Sequence, residues 1–179
     1  MGFLSKKNPR QANRYMVHKA KFTHIDNESG VHMVDISLKE SSERCASAEG
    51  TVQLGADAYS ALVEERVTKG DVLTTAQLAG IMGAKEAARL IPLCHPIALE
   101  AINLTFSLNA EMYSITVRAE ATSVGRTGVE MEVLTAVSIA SLAIYDMCKS
   151  ISKDIRITNI HLVSKKGGVH GVYHAQDSH

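Results

Sequence analysis

An acid and an amine three residues apart are the first side chains in this sequence that could do chemistry together. Asp146 and Lys149 lie on one face of any helix that contains them, because residues three apart are neighbours on a helix surface. If exposed, they would form an ordinary helical ion pair worth about 0.3–0.5 kcal/mol. They adjoin Ile144 and Met147, which are typical of a buried helix side. A carboxylate and an amine that tune each other's pKa values there would suit proton transfer.

Two turns carry a lysine and a histidine that could act on an anion or a proton. Lys69 precedes Gly70, so its ammonium could bind a phosphate that also approaches the glycine backbone. A solvated loop lysine is the plainer alternative. His95 lies between Cys94 and Pro96, where a rigid turn could hold its imidazole as an acid, a base or a ligand. A histidine satisfied by nearby backbone fits equally well, and no third ligand follows at a zinc-site spacing.

Carboxylates and cations that could bind a ligand occur near the start of the segment that contains Asp146. Glu130 and Glu132 follow a glycine-bounded turn at residues 125–128, in the first turn of a predicted helix, where the helix dipole favours acids. Positions two apart on a helix point roughly 200° away from each other, so the two carboxylates would share a site only in an irregular turn. Arg44 and Lys165 could each bind phosphate or be solvated, and their spacing does not decide between the two.

Composition limits the class of protein. The 179 residues fit one domain with a sizeable core, and 45% of them are hydrophobic. Nineteen basic and nineteen acidic residues give a formal net charge of zero, which argues against nucleic-acid or membrane binding and makes any anion site a local cluster. Three cysteines without a CxxC pair fit a reducing compartment, and the first residues lack a signal-peptide pattern. The expected location is the cytoplasm.

The elements that position these residues follow from apolar patterns. Residues 72–90 and 130–151 are predicted helices, the first rich in small residues and the second apolar at most positions. Asp71, in the turn before the first of them, is predicted to cap it. Alternation at residues 102–109 and 115–122 predicts an antiparallel hairpin with one wet face. Shorter elements are a helix at 57–65 and strands at 23–38, 51–54 and 153–163, the last with a bulge near 158–159. The order β-α-β-β-α-β predicts an α+β fold with a ferredoxin-like antiparallel sheet and helices on one face.

Domain organisation is simple in this interpretation. Residues 1–22 are polar and basic, which predicts a flexible extension, and residues 23–179 form a single domain. Its glycine- and histidine-rich end, from about residue 165, is predicted to be a mobile tail that could close on an anionic substrate. An open antiparallel sheet needs its far face or edges covered, so a homo-oligomer is expected.

Several unusual strings together resemble the molybdenum cofactor biosynthesis protein C family, the cyclic pyranopterin monophosphate synthases. They are Leu90-Ile-Pro-Leu-Cys-His-Pro96, Thr127-Gly-Val-Glu-Met-Glu132 and Ile144-Tyr-Asp-Met-Cys-Lys149, and the resemblance covers residues 23–171 in order. It implies a lyase that converts 3′,8-cyclo-7,8-dihydroguanosine 5′-triphosphate to cyclic pyranopterin monophosphate and releases pyrophosphate. It also implies a homohexamer, a trimer of dimers, with active sites at the dimer interface.

The resemblance also implies roles for individual residues. The implied catalytic residues are Asp146, Lys149, Lys69 and His95, and the implied substrate-binding residues are Cys94, His95, Glu130, Met131, Glu132, Arg44 and Lys165. Val169 stands where the family's tail loop usually carries a further lysine, and Lys166 is the residue that could replace it. No cofactor and no protein metal site are expected, although Mg²⁺ could accompany the triphosphate.

Two other functions remain compatible with the sequence. One is a different nucleotide- or pterin-handling enzyme on the same subunit plan, which would bind phosphate without forming this product. The other is a ligand-binding or assembly protein that has lost catalysis. The second would require a broken set of acid and base residues, whereas all four implied catalytic positions are occupied here.

Overall fold

The computed structural model describes residues 25–26, 30–168 and 171–176, and it divides the chain into two compact units, Met1–Val34 and Asp35–His179. In the first unit, β1 (Ile25–Asp26) and β2 (Gly30–Val31) pair as a short antiparallel sheet. The strand predicted within residues 23–38, after a turn at residues 29–30, is wrong where it relied on Val34, Ile36 and Leu38, because the described strands of that range end at Val31. The predicted extension at residues 1–22 lies outside the described residues, as does Val169.

The described part of the second unit consists of a five-stranded antiparallel sheet and four helices. Its elements are β3 (Ser42–Gln53), α1 (Ala56–Val63), α2 (Val72–Lys85), α3 (Ala87–Leu90), β4 (Ala101–Asn109), β5 (Ser114–Gly125), α4 (Glu130–Cys148), β6 (Arg156–Lys166) and β7 (Tyr173–His174). The order across the sheet is β4-β5-β3-β6-β7. The long elements follow the order β-α-β-β-α-β, so the predicted α+β fold with an antiparallel sheet is confirmed.

The central strand β3 forms where the sequence predicts a mostly polar segment and only a short strand at residues 51–54. It pairs with β5 on one side and with β6 on the other. Its buried positions include Ala46, Ala48 and Gly50, which are too small to mark a strand by apolar alternation. A Cβ on Gly50 would meet Val137 of α4 at 2.9 Å, so the small residues let the main helix approach the sheet closely.

The strands on either side of β3 follow their predictions more closely. The β4–β5 hairpin is confirmed, with the buried pair Leu104 and Ala119 in register and exposed residues alternating along β4. The bulge predicted in the last strand is also confirmed, because Asn159 has a φ of 55° and the register against β3 shifts there. β6 runs on through Lys165 and Lys166, which the sequence assigned to the start of a mobile tail.

The two long helices pack together on one face of the sheet. Asp71 caps α2 as predicted, since its Oδ1 accepts a hydrogen bond from the Thr74 backbone N–H at 3.0 Å. α2 ends at Lys85 rather than at residue 90, because the helix is interrupted at Glu86, after which α3 begins. A Cβ on Gly80 would come within 3.0 Å of the Ala136 carbonyl oxygen, so this glycine lets α2 lie close against α4.

α4 is the core helix of the fold. Val133, Val137 and Ile144 are fully buried, and the helix packs on β3, β5, β6 and α2. α4 has the length and apolarity of a membrane span, but 56% of that stretch is buried inside the fold, as is common for a core helix. Asp146 lies sixteen positions after Glu130, so the functional groups at the two ends of α4 are roughly 24 Å apart along the axis.

Candidate active site

Two lysines hold the carboxylate of Asp146 near the carboxyl end of α4. Lys149 Nζ lies 2.6 Å from Asp146 Oδ1, and Lys69 Nζ donates to Asp146 Oδ2 at 2.8 Å. Lys69 also donates to the Asp146 backbone oxygen at 2.7 Å. The carboxylate therefore has a separate lysine on each oxygen. We call Lys69, Asp146 and Lys149 the lysine clamp.

Local backbone structure brings Lys69 to this helix end. The loop after α1 turns at Gly70, whose φ of 100° lies in the left-handed region that favours glycine, and Asp71 then starts α2. Because α2 packs along α4, Lys69, two positions before the α2 cap, can reach the end of α4. The Lys69–Gly70 turn was a candidate phosphate site in the sequence. In the structure it instead positions the Lys69 ammonium group against the Asp146 carboxylate.

The charges of the lysine clamp depend on one another. Hydrogen bonds from Lys149 and Lys69 lower the pKa of Asp146 to about 2, and the Asp146 carboxylate raises the pKa of Lys149. The acid therefore stays ionised at neutral pH while Lys149 stays protonated. The three side chains remain 38–56% exposed, so a ligand can reach them. A clamp with two ammonium groups and one carboxylate can bind an anion and can donate protons in a fixed direction.

A basic cavity lies at the other end of α4. Its volume is about 720 Å³, and among its described lining residues the cations outnumber the acids. The cations are Lys39, Arg44, Arg126, Lys165 and Lys166, and the acids are Glu40 and Glu130. Lys165 Nζ lies 2.7 Å from Glu130 Oε1. The chain has a formal net charge of zero, yet positive charge is concentrated in this cavity. This agrees with the expectation from the sequence that any anion site must be a local cluster of cations.

Arg44 is fixed deep in this cavity. It is 8% exposed, and its Nε donates to the Gly125 carbonyl oxygen at 3.1 Å. Among the described residues, its two terminal guanidinium nitrogens make no hydrogen bond. Gly167 and Gly168 have φ values of 107° and 76°, and a Cβ on Gly168 would collide with the Arg44 guanidinium. The glycine pair therefore lets the chain after β6 pass directly over Arg44.

A buried acid lies behind the start of α4. Glu132 is 2% exposed, its Oε1 lies 3.9 Å from Cys94 Sγ, and its Oε2 has no hydrogen-bond partner within the described structure. Burial raises the pKa of Glu132, and the nearby charge of Glu130 raises it further. Burial and the neighbouring Glu132 also raise the pKa of the Cys94 thiol. Both pKa shifts disfavour the charged form, so burial here suits hydrogen bonding to a polar ligand more than charge pairing.

The loop that carries Cys94 and His95 is held against the end of β5. The Ser123 hydroxyl donates to the Ala98 carbonyl oxygen at 2.8 Å, and the Glu100 N–H donates to the Thr122 carbonyl oxygen at 2.9 Å. His95 itself is partly exposed. The proline-bounded turn thus places the histidine beside the amino end of α4 and away from the lysine clamp.

The structure divides the residues that the resemblance implicates into two groups. The amino-terminal group consists of Arg44, Cys94, His95, Glu130, Met131, Glu132 and Lys165, and the second group is the lysine clamp. Glu130 and Glu132 do diverge, one toward Lys165 and the other toward Cys94. One chain therefore does not bring His95 to the clamp residues with which it was predicted to act.

Sequence reasoning missed two cations of the cavity. Arg126 lies in the glycine-bounded turn before α4, and Lys39 lies before β3. The turn itself was a signal for Arg126, whereas nothing in the sequence marks Lys39.

Within residues 25–26, 30–168 and 171–176, no three His, Cys, Asp or Glu side chains are grouped as a metal site would need.

Comparison with known proteins gives one consistent result. The MoaC family matches residues 33–168. A protein of Salinibacter ruber named cyclic pyranopterin monophosphate synthase is 53% identical over 156 residues, which is 87% of this chain and 92% of that protein. A protein of the same name from Thermoanaerobacter sp. is 46% identical over 84% of this chain and 96% of its own length.

A longer relative contains the same region. The Drosophila melanogaster protein named molybdenum cofactor biosynthesis protein 1 is 49% identical over 88% of this chain, which corresponds to 27% of the fly protein. The family match covers well over half of the chain, including both groups of candidate site residues. This chain belongs to the MoaC family.

Proposed function

We propose that this protein is a cyclic pyranopterin monophosphate synthase in molybdenum cofactor biosynthesis. It would convert 3′,8-cyclo-7,8-dihydroguanosine 5′-triphosphate to cyclic pyranopterin monophosphate and release pyrophosphate, as a cytoplasmic lyase. The observation that carries the proposal is the combination of a basic cavity and a lysine clamp in a chain whose relatives bear that name.

The triphosphate would bind in the basic cavity. Among the described residues, the terminal guanidinium nitrogens of Arg44 have no hydrogen-bond partner, and Lys165, which lines the same cavity, has one acidic partner, Glu130. A triphosphate carries about four negative charges, and charge-assisted bonds from arginine and lysine can hold it. The same cations would stabilise the pyrophosphate as it leaves. Mg²⁺ would be coordinated mainly by the phosphate oxygens of the substrate, because the described lining supplies only two carboxylates, Glu40 and Glu130.

The ring derived from guanine would lie toward Cys94, Met131 and Glu132. The buried Glu132 Oε2 lacks a partner in the described structure, so a donor on the ring edge could complete its hydrogen bonding. His95 is in the same loop as Cys94 and could exchange a proton with this end of the substrate.

Proton transfer during ring opening and rebuilding would fall to the lysine clamp. Asp146 keeps Lys149 protonated and fixes the direction of both ammonium groups. Lys149 and Lys69 are therefore proposed as the general acids, with the ionised Asp146 carboxylate as the group that positions them. In this proposal the substrate contacts both the lysine clamp and the basic cavity. Within one chain these lie at opposite ends of α4, which is longer than a nucleoside triphosphate, so one substrate molecule would not reach both.

The separation of the two groups supports active sites that are shared between chains. An amino-terminal group from one chain and a lysine clamp from another would complete one site. This is the arrangement that the homohexamer, a trimer of dimers with interfacial sites, would supply. No cofactor is proposed beyond Mg²⁺ carried by the substrate.

The test is direct turnover. Purified protein is incubated with the cyclised dihydro-GTP substrate, and pyrophosphate release is followed together with the mass of the pterin product. Coupled formation of pyrophosphate and cyclic pyranopterin monophosphate supports the proposal. Tight binding by a folded oligomer without turnover would instead favour the ligand-binding alternative, and phosphate binding with a different product would favour the other enzyme.

A further inference from the structure

Strand β6 contains a second irregularity, just before it reaches the basic cavity. In the register against β3, Leu162 is paired with Ala48. Ser164 is paired with Ser47, the neighbouring residue of β3, so Val163 is left without a partner on that strand. One extra residue on one strand of a pair is a β-bulge, and it shifts the alternation of side chains by one position.

The bulge at Val163 decides which of two neighbouring lysines faces the start of α4. Lys165 is paired with Ala46, a buried residue on the side of β3 that packs against α4. Unbroken alternation from Leu162, which packs against the core on that side, would turn Lys166 toward α4 instead. In the structure Lys165 Nζ lies 2.7 Å from Glu130 Oε1 of α4, whereas Lys166 is exposed.

The segment that contains β7 binds β6 at this bulge from the opposite edge. The Ala175 N–H donates to the Val163 carbonyl oxygen at 2.8 Å, and β7 pairs with Ser164 and Lys165. Residues 173–175 therefore hold every position of β6 from the bulge to the lysine. The register with β3 leaves out the bulged residue itself.

This segment supplies no side chain to the described lining of the basic cavity, and the family match ends at residue 168, before the segment begins. Its effect on the cavity passes through the backbone of β6. A slip of one residue at the bulge would exchange the faces on which Lys165 and Lys166 lie, because strand side chains alternate with a period of two.

We propose that residues 173–175 position Lys165 for triphosphate binding by locking the bulge at Val163. The hydrogen bond from Ala175 and the pairing of β7 keep Lys165, and not Lys166, on the side of β3 that faces α4. The identity of the natural ligand rests on the proposed function. The register of β6 does not, and it can be tested with inorganic tripolyphosphate.

The first test removes the hydrogen bond at the bulge. Ala175→Pro removes the donor to Val163, and proline keeps the residue before it extended, as β7 requires. Ala175→Ser keeps the donor and is the matched control. Isothermal titration with tripolyphosphate should show roughly 10-fold weaker binding for Ala175→Pro, the lower end of the effect of one lost charge-assisted hydrogen bond. Ala175→Ser should bind as wild type does.

Steady-state kinetics with the cyclised dihydro-GTP substrate separate positioning from chemistry. KM should rise in Ala175→Pro by about the same factor as the tripolyphosphate dissociation constant, since both report phosphate binding. The value of kcat should stay near wild type, because the lysine clamp lies at the other end of α4 and is unchanged.

A double-mutant cycle determines whether the effect passes through Lys165. In the wild-type background, Lys165→Ala should weaken tripolyphosphate binding more than Lys166→Ala does. In the Ala175→Pro background the two alanine variants should have similar effects, because the register no longer favours one lysine. If circular dichroism shows that Ala175→Pro is unfolded, His174→Gly takes its place, since glycine weakens a strand without removing a donor.

Wild-type affinity in the folded β7 variant, or an unchanged difference between Lys165→Ala and Lys166→Ala in its background, would overturn the proposal. Equal losses in Ala175→Pro and Ala175→Ser would also overturn it, because the serine variant keeps the hydrogen bond. Weaker tripolyphosphate binding in Ala175→Pro, with no pterin product from wild type, would support the locked register and reject the proposed function. A wild-type protein that does not bind tripolyphosphate would overturn both.

Discussion

Lys69 Nζ donates to Asp146 Oδ2 at 2.8 Å although the two residues are 77 positions apart in the chain. The same ammonium donates to the Asp146 backbone oxygen at 2.7 Å, near the carboxyl end of α4, where carbonyl groups lack helical partners and a cation is favoured. Lys69 therefore both stabilises the carboxyl end of α4 and fixes the orientation of the Asp146 carboxylate. The position of Asp146 thus depends on the loop before α2 as well as on its own helix.

Asp146→Asn should abolish most of the turnover while leaving the fold intact. An amide offers one acceptor oxygen and an NH₂ group, so it cannot receive an ammonium on each side as the carboxylate does. Lys149 would also lose the group that raises its pKa. We expect kcat to fall by roughly 10²–10⁴-fold, the range for a lost acid–base group.

The control is Asp154→Asn, an exposed aspartate in the loop after α4. It should leave kcat near wild type. Thermal unfolding by circular dichroism should show similar midpoints for both variants, since the clamp is exposed. A large drop in the midpoint for Asp146→Asn alone would identify Asp146 as a structural residue.

Elements with large alternating or periodic side chains could be predicted from the sequence. The β4–β5 hairpin is an example, because Leu104 and Phe106 alternate with polar residues. α4 was predicted from its nearly continuous apolar residues, and the cap at Asp71 from its position before α2. In each case the side chain that makes the contact is also the one that carries the sequence signal.

Other features depend on contacts that local sequence does not contain. The inward positions of β3 include Ala46, Ala48 and Gly50, whose burial is fixed by a neighbouring helix and not by their own hydrophobicity. No proline or glycine next to Glu86 signals the interruption between α2 and α3 in the sequence. In the candidate site, the pair Asp146 and Lys149 could be read from its spacing, whereas the approach of Lys69 to Asp146 required the packing of α2 on α4.

Mixing two inactive variants tests whether sites are shared. Lys149→Ala disables the lysine clamp, and Lys165→Ala removes a cation from the basic cavity. If the two groups of one site come from different chains, a mixed dimer holds one site with both lysines intact. Random mixing in equal amounts should therefore recover about a quarter of wild-type pyrophosphate release.

A matched mixture controls this experiment. Lys69 and Lys149 both hold the same Asp146 carboxylate within one chain, so Lys69→Ala mixed with Lys149→Ala leaves every clamp damaged. That mixture should stay inactive. Subunit exchange is verified by mass spectrometry of the mixed assemblies. Equal recovery in both mixtures, or in neither, would count against a cavity and a clamp on opposite chains.

Glu132→Gln should stabilise the protein above neutral pH. Burial raises the pKa of Glu132 from its ordinary value of 4.5, so the folded state holds its proton more tightly than the unfolded state. The stability that this proton provides is fully present below pH 4.5 and is lost as the pH rises through the folded-state pKa. Glutamine stays neutral throughout and avoids that loss, which is on the order of 1–3 kcal/mol for a buried polar group.

The measurement is the unfolding midpoint of wild type and variant at pH 4.5 and pH 8. The variant should gain on wild type at pH 8 and show little gain at pH 4.5. Glu111→Gln, at an exposed position in the β4–β5 loop, should show no such difference between the two pH values. An equal gain at both pH values would mean that the ionisation of Glu132 does not limit stability.

Gly167→Ala should weaken substrate binding more than it slows chemistry. The φ of Gly167 is 107°, and an added Cβ would collide with the Glu43 carbonyl oxygen and approach the Arg44 Cδ at 3.1 Å. The chain must therefore move off β3 at the point where Lys165, Lys166 and Arg44 line the cavity. Loss of one charge-assisted hydrogen bond is worth about 1.5–3 kcal/mol, so KM should rise by roughly 10–100-fold.

Gly171→Ala separates crowding from backbone strain. Gly171 also has a positive φ, at 64°, but no atom lies within 4 Å of its hypothetical Cβ in the described structure. It therefore carries the left-handed penalty without the collision at β3. Steady-state kinetics should show a raised KM with nearly unchanged kcat for Gly167→Ala, and near-wild-type values for Gly171→Ala. If both variants raise KM equally, strain in the tail backbone, and not the close passage over Arg44, controls phosphate binding.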